Sequence, residues 1–192
     1  MRINAFVQPP EHVVQHLASA LEDVAIPAPQ VNWVESSMWI LPLATFGNVA
    51  MSEAIDLELL LMKELRSILP MELRLAEVIP LPEDGDDSLW AGYDGDTEQL
   101  TQLASAIPRW VRPHGFLLDR RSFRTRMRIG RVTPYTSVID LERLVEKLGH
   151  YQGPSWTADE IVMGRPRRAE DDGKPAGYDV DARIPFGSPE DD

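Results

Sequence analysis

Strand-like and helix-like segments alternate along the whole chain, and this mixture restricts the possible folds more than any other feature. INAFVQ, VNWVE and LWAGYD have the two-residue alternation of strands, whereas PEHVVQHLASALEDV and SVIDLERLVEKLG repeat apolar residues at helical spacing. In order, the segments predict β-α-β-β-α-β-β-α-β-β-α-β-β. Since pairs of strands recur between helices, we expect an α+β fold with antiparallel sheets rather than a doubly wound parallel sheet.

Several finer predictions follow from the same patterns. GFLLD and FRTRMRIGRV are predicted to form a strand pair around a turn at Arg120 and Arg121, and WTADEIVMGRP is predicted to be one strand. EQLTQLASAI is predicted to form a helix that Asp96 or Thr97 can cap. Each half carries a helix followed by a strand pair, which indicates a duplication. We expect one domain over residues 1–187 and a disordered tail over 188–192.

Composition excludes several classes of protein. The chain has 192 residues and no cysteine, so disulfides and thiolate metal sites are excluded, which is consistent with a cytoplasmic location. MRINAFVQPPEHVV does not resemble a signal peptide, and no segment approaches the roughly 18 apolar residues that a membrane span needs. We therefore expect a cytoplasmic protein without a membrane partner.

Charge is distributed unevenly. The formal net charge is −12, which weighs against binding to a DNA duplex because such a chain repels phosphate at long range. Yet eight of the nineteen basic residues fall between Arg109 and Arg131, against one acid, Asp119. An acidic protein with one dense arginine patch is better suited to a small or terminal phosphate than to a long duplex.

The densest part of this patch is SFRTRMRIGR. Arg124, Arg126 and Arg128 alternate with other residues, so a strand would place all three on one face. Two interpretations remain open: a solvated strand edge paired with the abundant acids, or a surface that holds an anion by bidentate hydrogen bonds.

Five blocks of the chain, in order, resemble the 2H phosphoesterase superfamily. The similar blocks are RINAFVQPPEHVVQHLASAL, VNWVESSMWILPLATFGNV, LWAGYDGDTEQLTQLASAI, SFRTRMRIGR and YQGPSWTADEIVM. The most similar branch is that of the bacterial-type RNA 2′,3′-cyclic phosphodiesterases, or 2′-5′ RNA ligase-like proteins. This resemblance implies two lobes, each an antiparallel sheet backed by helices, around a central cleft.

The family's activity depends on two His-x-Thr motifs that face each other across the cleft. One histidine acts as general base and the other as general acid on a 2′,3′-cyclic phosphate. By resemblance, the first motif falls on Ile40 and Pro42 and the second on Arg126 and Arg128. Neither isoleucine nor arginine can exchange protons at pH 7, so the acid-base mechanism is predicted to be lost.

Around these positions we predict a ligand site without catalytic residues. Arg126 and Arg128 would contact the anion, with Arg124 on the same face. Ile40, Pro42 and Trp39 would shape the opposite wall, or would simply have drifted after loss of function. Proline has no N–H to donate, so Pro42 requires its strand to lie at a sheet edge or to be bulged there.

Other candidate sites are weaker. His12 and His16 lie four residues apart on a helix, a spacing that can hold a metal ion, but no third ligand is evident. Asp84, Asp86 and Asp87 lack the spacing of a calcium loop. No metal or cofactor is therefore predicted.

Three functions remain open on sequence. The first is a catalytically inactive relative that binds a phosphorylated small molecule, nucleotide or RNA terminus. The second is a protein-interaction or scaffold module whose arginine patch meets an acidic partner. The third is an active phosphodiesterase with relocated catalytic groups such as His114, the histidine expected to lie nearest the cleft.

Overall fold

A computed structural model describes residues 1–24, 26, 30–80, 87–119, 123–169 and 175–187. Its strands are β1 (Ile3–Val7), β2 (Val31–Trp33), β3 (Leu41–Phe46), β4 (Met71–Pro80), β5 (Ser88–Gly95), β6 (Arg126–Val132), β7 (Gln152–Ala158), β8 (Glu160–Arg167) and β9 (Gly177–Pro185). Its α-helices are α1 (Glu11–Val24), α2 (Met51–Leu65), α3 (Thr97–Val111) and α4 (Val138–Leu148), and 3-10 turns cover Ser36–Met38 and Arg112–His114.

The strands form two antiparallel sheets. Sheet A has the order β3-β1-β8-β9, and sheet B has the order β2-β6-β5-β4-β7. The predicted α+β architecture with two antiparallel sheets is confirmed. None of the helices described is long and apolar enough to cross a membrane.

Helices cover one face of each sheet. α2 packs on β9 and α3 on β3, whereas α1 and α4 pack on β7 and β4. The apolar side chains between sheets and helices form one continuous core, which includes Phe46, Leu61 and Leu103. We call the opposite face of each sheet its inner face, and the two inner faces line the cleft between the lobes.

The alternation of side chains along β1 shows how the two faces separate. Ile3, Ala5 and Val7 belong to the main core, whereas Phe6 belongs to a second cluster with Ile40 and Val162. Because strand side chains alternate, Asn4 lies on the inner face with Phe6.

Two strand predictions are wrong. The WTADEIVMGRP segment forms two strands in different sheets, since β7 pairs with β4 and β8 pairs with β1 and β9. The core residues before Asp159 are at even-numbered positions, Trp156 and Ala158, whereas those after it are at odd-numbered positions, Ile161 and Met163. Because one strand keeps every second residue on the same face, this change means that the segment cannot continue as one strand.

GFLLD forms no strand with β6. Leu118 makes one isolated bridge to Phe46, and Leu117 is 73% exposed. The segment runs beside β3 instead, where the Asp119 N–H donates to the Thr45 backbone oxygen at 2.9 Å. The predicted turn at Arg120 and Arg121, and the acids Asp84 and Asp86, lie outside the described residues.

α3 continues through Pro108, beyond the last residue of the predicted helix, Ile107, and ends at Val111. Ile107 and Val111 are both fully buried, and this packing outweighs the hydrogen bond that proline cannot make.

Pro42 was predicted to lie on an edge strand or at a bulge, and the structure shows both. β3 is an edge strand of sheet A, and its register with β1 shifts beside the Phe6–Pro42 pair.

Candidate functional site

Arg126 and Arg128 lie on the inner face of β6. The residues that alternate with them, Met127 and Ile129, are fully buried in the core. In the register with β5, Arg128 lies opposite Trp90 and Arg126 lies opposite Gly92. The strand therefore holds both guanidinium groups on the cleft side of sheet B, as the alternation predicts.

These two arginines are uncompensated within the part of the chain that is described. Neither side chain makes an ion pair or hydrogen bond there, whereas the next arginine, Arg131, pairs with Asp87 through Nε at 2.9 Å. Arg128 is exposed and Arg126 is half-buried. Two adjacent like charges without a counter-charge favour an anion from solution.

Arg124 does not share this arrangement. β6 begins at Arg126, so the strand alternation that would align Arg124 with it does not extend that far. Arg124 is half-buried and has a partner of its own.

Across the cleft, Ile40 closes an apolar cluster on sheet A. Ile40 is 6% exposed and packs with Phe6 and Val162, and Tyr178 of β9 covers them with its ring 4.7 Å from that of Phe6. Pro42 lies beside Phe6 and is exposed. The side chains of Phe6, Ile40 and Val162 offer contact surface but no proton donor or acceptor.

Trp39 occupies a different environment. It is 4% exposed within the main core, and its indole N–H donates to the backbone oxygen of Val34 at 2.9 Å. Its role in ligand binding stays a prediction, since the ring belongs to the core side rather than to the inner-face cluster.

Sequence reasoning missed the polar residues that connect the two sheets. Burial raises the pKa of the Tyr178 hydroxyl, and this rise is opposed by a hydrogen bond from Asn4 and by the charges of Arg128 and Arg2. Arg128 on sheet B and Tyr178 on sheet A therefore face the same space. Asn4 was hidden in an apolar strand, and Tyr178 in a segment distant in sequence from every arginine of the patch, so no local pattern could have identified them.

His12 and His16 both lie on α1, as predicted. His16 Nδ1 lies 2.8 Å from the Tyr151 hydroxyl, and no cluster able to hold a metal occurs among the described residues. His114 follows α3, which packs on the core side. His150 instead lines a cavity of about 330 Å³ with Glu77, Gly92 and Asp94. Because Gly92 is the strand partner of Arg126, His150 comes closer to the arginine strand than was expected.

A second cavity, of about 640 Å³, lies away from the arginines at the N-terminal end of α1. Gln8, His12, Ser36, Trp156 and Arg183 contribute to its wall. None of the arginines of β6 lines it. Its acidic residues Glu11, Asp159 and Glu160 disfavour an anion there, so the cavity size does not identify it as the phosphate site.

The whole fold is similar to known structures. LigT from Escherichia coli, crystallised with 3′-AMP, superposes with a TM-score of 0.74 at 16% identity, over 97% of this chain and 98% of that one. The Thermus thermophilus protein TT0787 gives a TM-score of 0.67 at 19% identity, over 98% and 100%. A structure described as a phosphoesterase gives 0.73 at 16% identity, over 97% and 98%.

These similarities establish the fold. The chain has the 2H phosphoesterase fold, as its sequence blocks predicted. LigT has also been crystallised with ATP, NADP⁺ and phosphate. No family model and no curated protein matches the sequence.

Proposed function

We propose that this protein binds a phosphate-bearing nucleotide or RNA terminus in its cleft and does not hydrolyse it. The observation that carries the proposal is the pair Arg126 and Arg128 on the inner face, without a counter-charge in the described chain. That LigT, which has the same fold, was crystallised with nucleotides and with phosphate supports this choice of ligand.

The chemistry of the inner faces suits binding more than cleavage. Guanidinium groups hold phosphate oxygens in bidentate fashion but stay protonated at neutral pH, so they cannot act as general base. The facing position, Ile40, is an apolar contact. Neither proton-transfer group of the implied mechanism is present. The arginines would stabilise the negative charge of a bound diester, but no group at these positions would transfer the protons that cleavage requires.

Binding is tested by calorimetry with 3′-AMP, ATP and inorganic phosphate. We expect Arg126→Ala or Arg128→Ala to weaken 3′-AMP binding roughly 10- to 100-fold, since each removes a charge-assisted hydrogen-bond donor. Arg109→Ala is the matched control, because Arg109 is an exposed arginine near the end of α3. Binding of none of the three anions, or binding insensitive to both cleft variants, would leave the scaffold function ahead.

One observation favours a second candidate, an active phosphodiesterase with a relocated acid-base group. His150 and Asp94 line a cavity that reaches the strand partner of Arg126. Incubation with 2′,3′-cyclic AMP tests it. We expect no turnover; turnover that disappears in His150→Ala but persists in His114→Ala would establish the enzyme instead.

A further inference from the structure

Asn4 is a polar residue that folding alone does not explain. It is 8% exposed, and its Oδ1 has no hydrogen-bond partner. A buried acceptor without a partner is unfavourable, because the group loses its hydrogen bonds to water and gains none in return. Its neighbour on the same face of β1, Phe6, shows that an apolar residue suits this face.

Asn4 is flanked by one short side chain and one glycine. Thr45 of β3 lies opposite it on one side, and Gly164 of β8 on the other. A side chain at Gly164 would bring a Cβ within 3.0 Å of the Asp179 backbone oxygen, so no side chain rises there. The Tyr178 ring lies 4.7 Å from that of Phe6, the next residue on the same face of β1 as Asn4. Burial raises the pKa of the Tyr178 hydroxyl, and the Asn4 amide and the charges of Arg128 and Arg2 lower it, so these groups surround one hydroxyl.

A ligand that contacts both Arg128 and the Asn4 oxygen needs two matching groups: an anion for the arginine, and a hydroxyl or N–H donor close to that anion for the asparagine. The asparagine χ2 torsion is broad, so the amide can turn its oxygen toward a donor at little cost. A ribonucleoside 3′-phosphate has both groups, with its 2′-hydroxyl on the carbon next to the ester. A 2′,3′-cyclic phosphate has both oxygens esterified, and a 2′-deoxy analogue has no hydroxyl there.

We propose that the cleft selects an opened ribonucleotide end, with a free hydroxyl beside the phosphate, over the cyclic phosphate. Asn4 is the residue that determines this selectivity. The inference rests on the proposed function, since it assumes that the phosphate binds at Arg128.

Calorimetry with the full chain tests the selectivity through three ligands: 3′-AMP, 2′-deoxy-3′-AMP and 2′,3′-cyclic AMP. We expect the wild type to bind 3′-AMP about five- to tenfold more tightly than either analogue, the effect of one hydrogen bond to a group otherwise left unpaired. Asn4→Leu should reduce the ratio of 3′-AMP to deoxy affinity to about one. Asn32→Leu on β2, exposed and on the other sheet, is the matched control.

Asn4→Asp distinguishes this role from a structural one. A carboxylate still accepts from the 2′-hydroxyl but repels phosphate, so all affinities should fall while the preference for 3′-AMP over the deoxy analogue remains. Wild-type binding of 3′-AMP and its deoxy analogue within twofold would overturn the selectivity and leave phosphate binding intact. Tighter binding of 2′,3′-cyclic AMP than of 3′-AMP would also overturn the selectivity. Absence of binding for all three ligands would overturn both the selectivity and the proposed function.

Discussion

A single residue type decides whether a cleft position can transfer protons or only hold charge. Arg126 and Arg128 point to the inner face because Met127 and Ile129 occupy the core, and the alternation of SFRTRMRIGR was enough to predict this. The alternation could not predict Asn4 or Tyr178. Their importance depends on how β1 and β9 are brought to face β6, which no local pattern contains.

The coupling between Arg128 and Tyr178 gives a residue-scale prediction. A positive charge nearby favours the tyrosinate, so Arg128→Ala should raise the pKa of Tyr178 further above its ordinary value. The measurement is an ultraviolet titration of tyrosinate absorbance in wild type and variant, with Tyr178→Phe to assign the transition. An unchanged Tyr178 titration in Arg128→Ala would mean that the two groups do not share the cleft.

At the scale of elements, the predictions hold where a segment's own pattern decides its structure. β1, α1, β5 and α4 follow their patterns closely, and α4 begins as Ser137 accepts a hydrogen bond from the Asp140 backbone N–H. The failures at Asp159 and at 115–119 depend on which sheet a strand joins. Pairing partners are distant in sequence, so pattern alone could not assign them.

The turn from β5 into α3 depends on a glycine. Gly95 has φ of +101°, and a Cβ there would lie 2.1 Å from the Glu72 backbone oxygen. Gly95→Ala should therefore cost about 2 kcal/mol or more of unfolding free energy. Gly47→Ala, where nothing lies within 4 Å of the added carbon, should change stability by less than about 0.5 kcal/mol. Denaturant unfolding compares them, and equal losses would contradict the close approach at Gly95.

At the scale of the molecule, a chain of net charge −12 presents on β6 a pair of arginines that has no counter-charge among the described residues. The overall charge repels long polyanions at a distance, whereas the proposed contact of the pair with a single terminal phosphate acts at short range. Composition predicted this contrast. Composition could not predict that the larger of the two cavities would form beside α1 and not beside the arginines. A cavity forms where elements from distant parts of the chain leave space between them, and composition does not determine how they pack.

Stability should fall in alkali. Burial raises the pKa of Tyr93 and of Tyr178, and raises that of Tyr151 to about 12. In the unfolded chain a tyrosine has a pKa of about 10, so below that pH the hydroxyl is neutral in both states and stability is at its full value. As pH rises from there through the raised native pKa, the unfolded chain ionises first and the fold loses stability. The unfolding free energy should therefore decrease from pH 10 to 12, and Tyr151→Phe should reduce that slope. A slope of zero in the wild type over this range would contradict the burial of these hydroxyls.

The central claim is that the arginine strand holds a phosphate. It is tested most directly by a crystal structure of the protein with 3′-AMP. We predict the phosphate between Arg126 and Arg128, within hydrogen-bond distance of at least one of them, and the ribose toward Asn4 and Tyr178. A nucleotide whose phosphate lies instead in the cavity beside α1, with both arginines in contact with solvent only, would contradict the account.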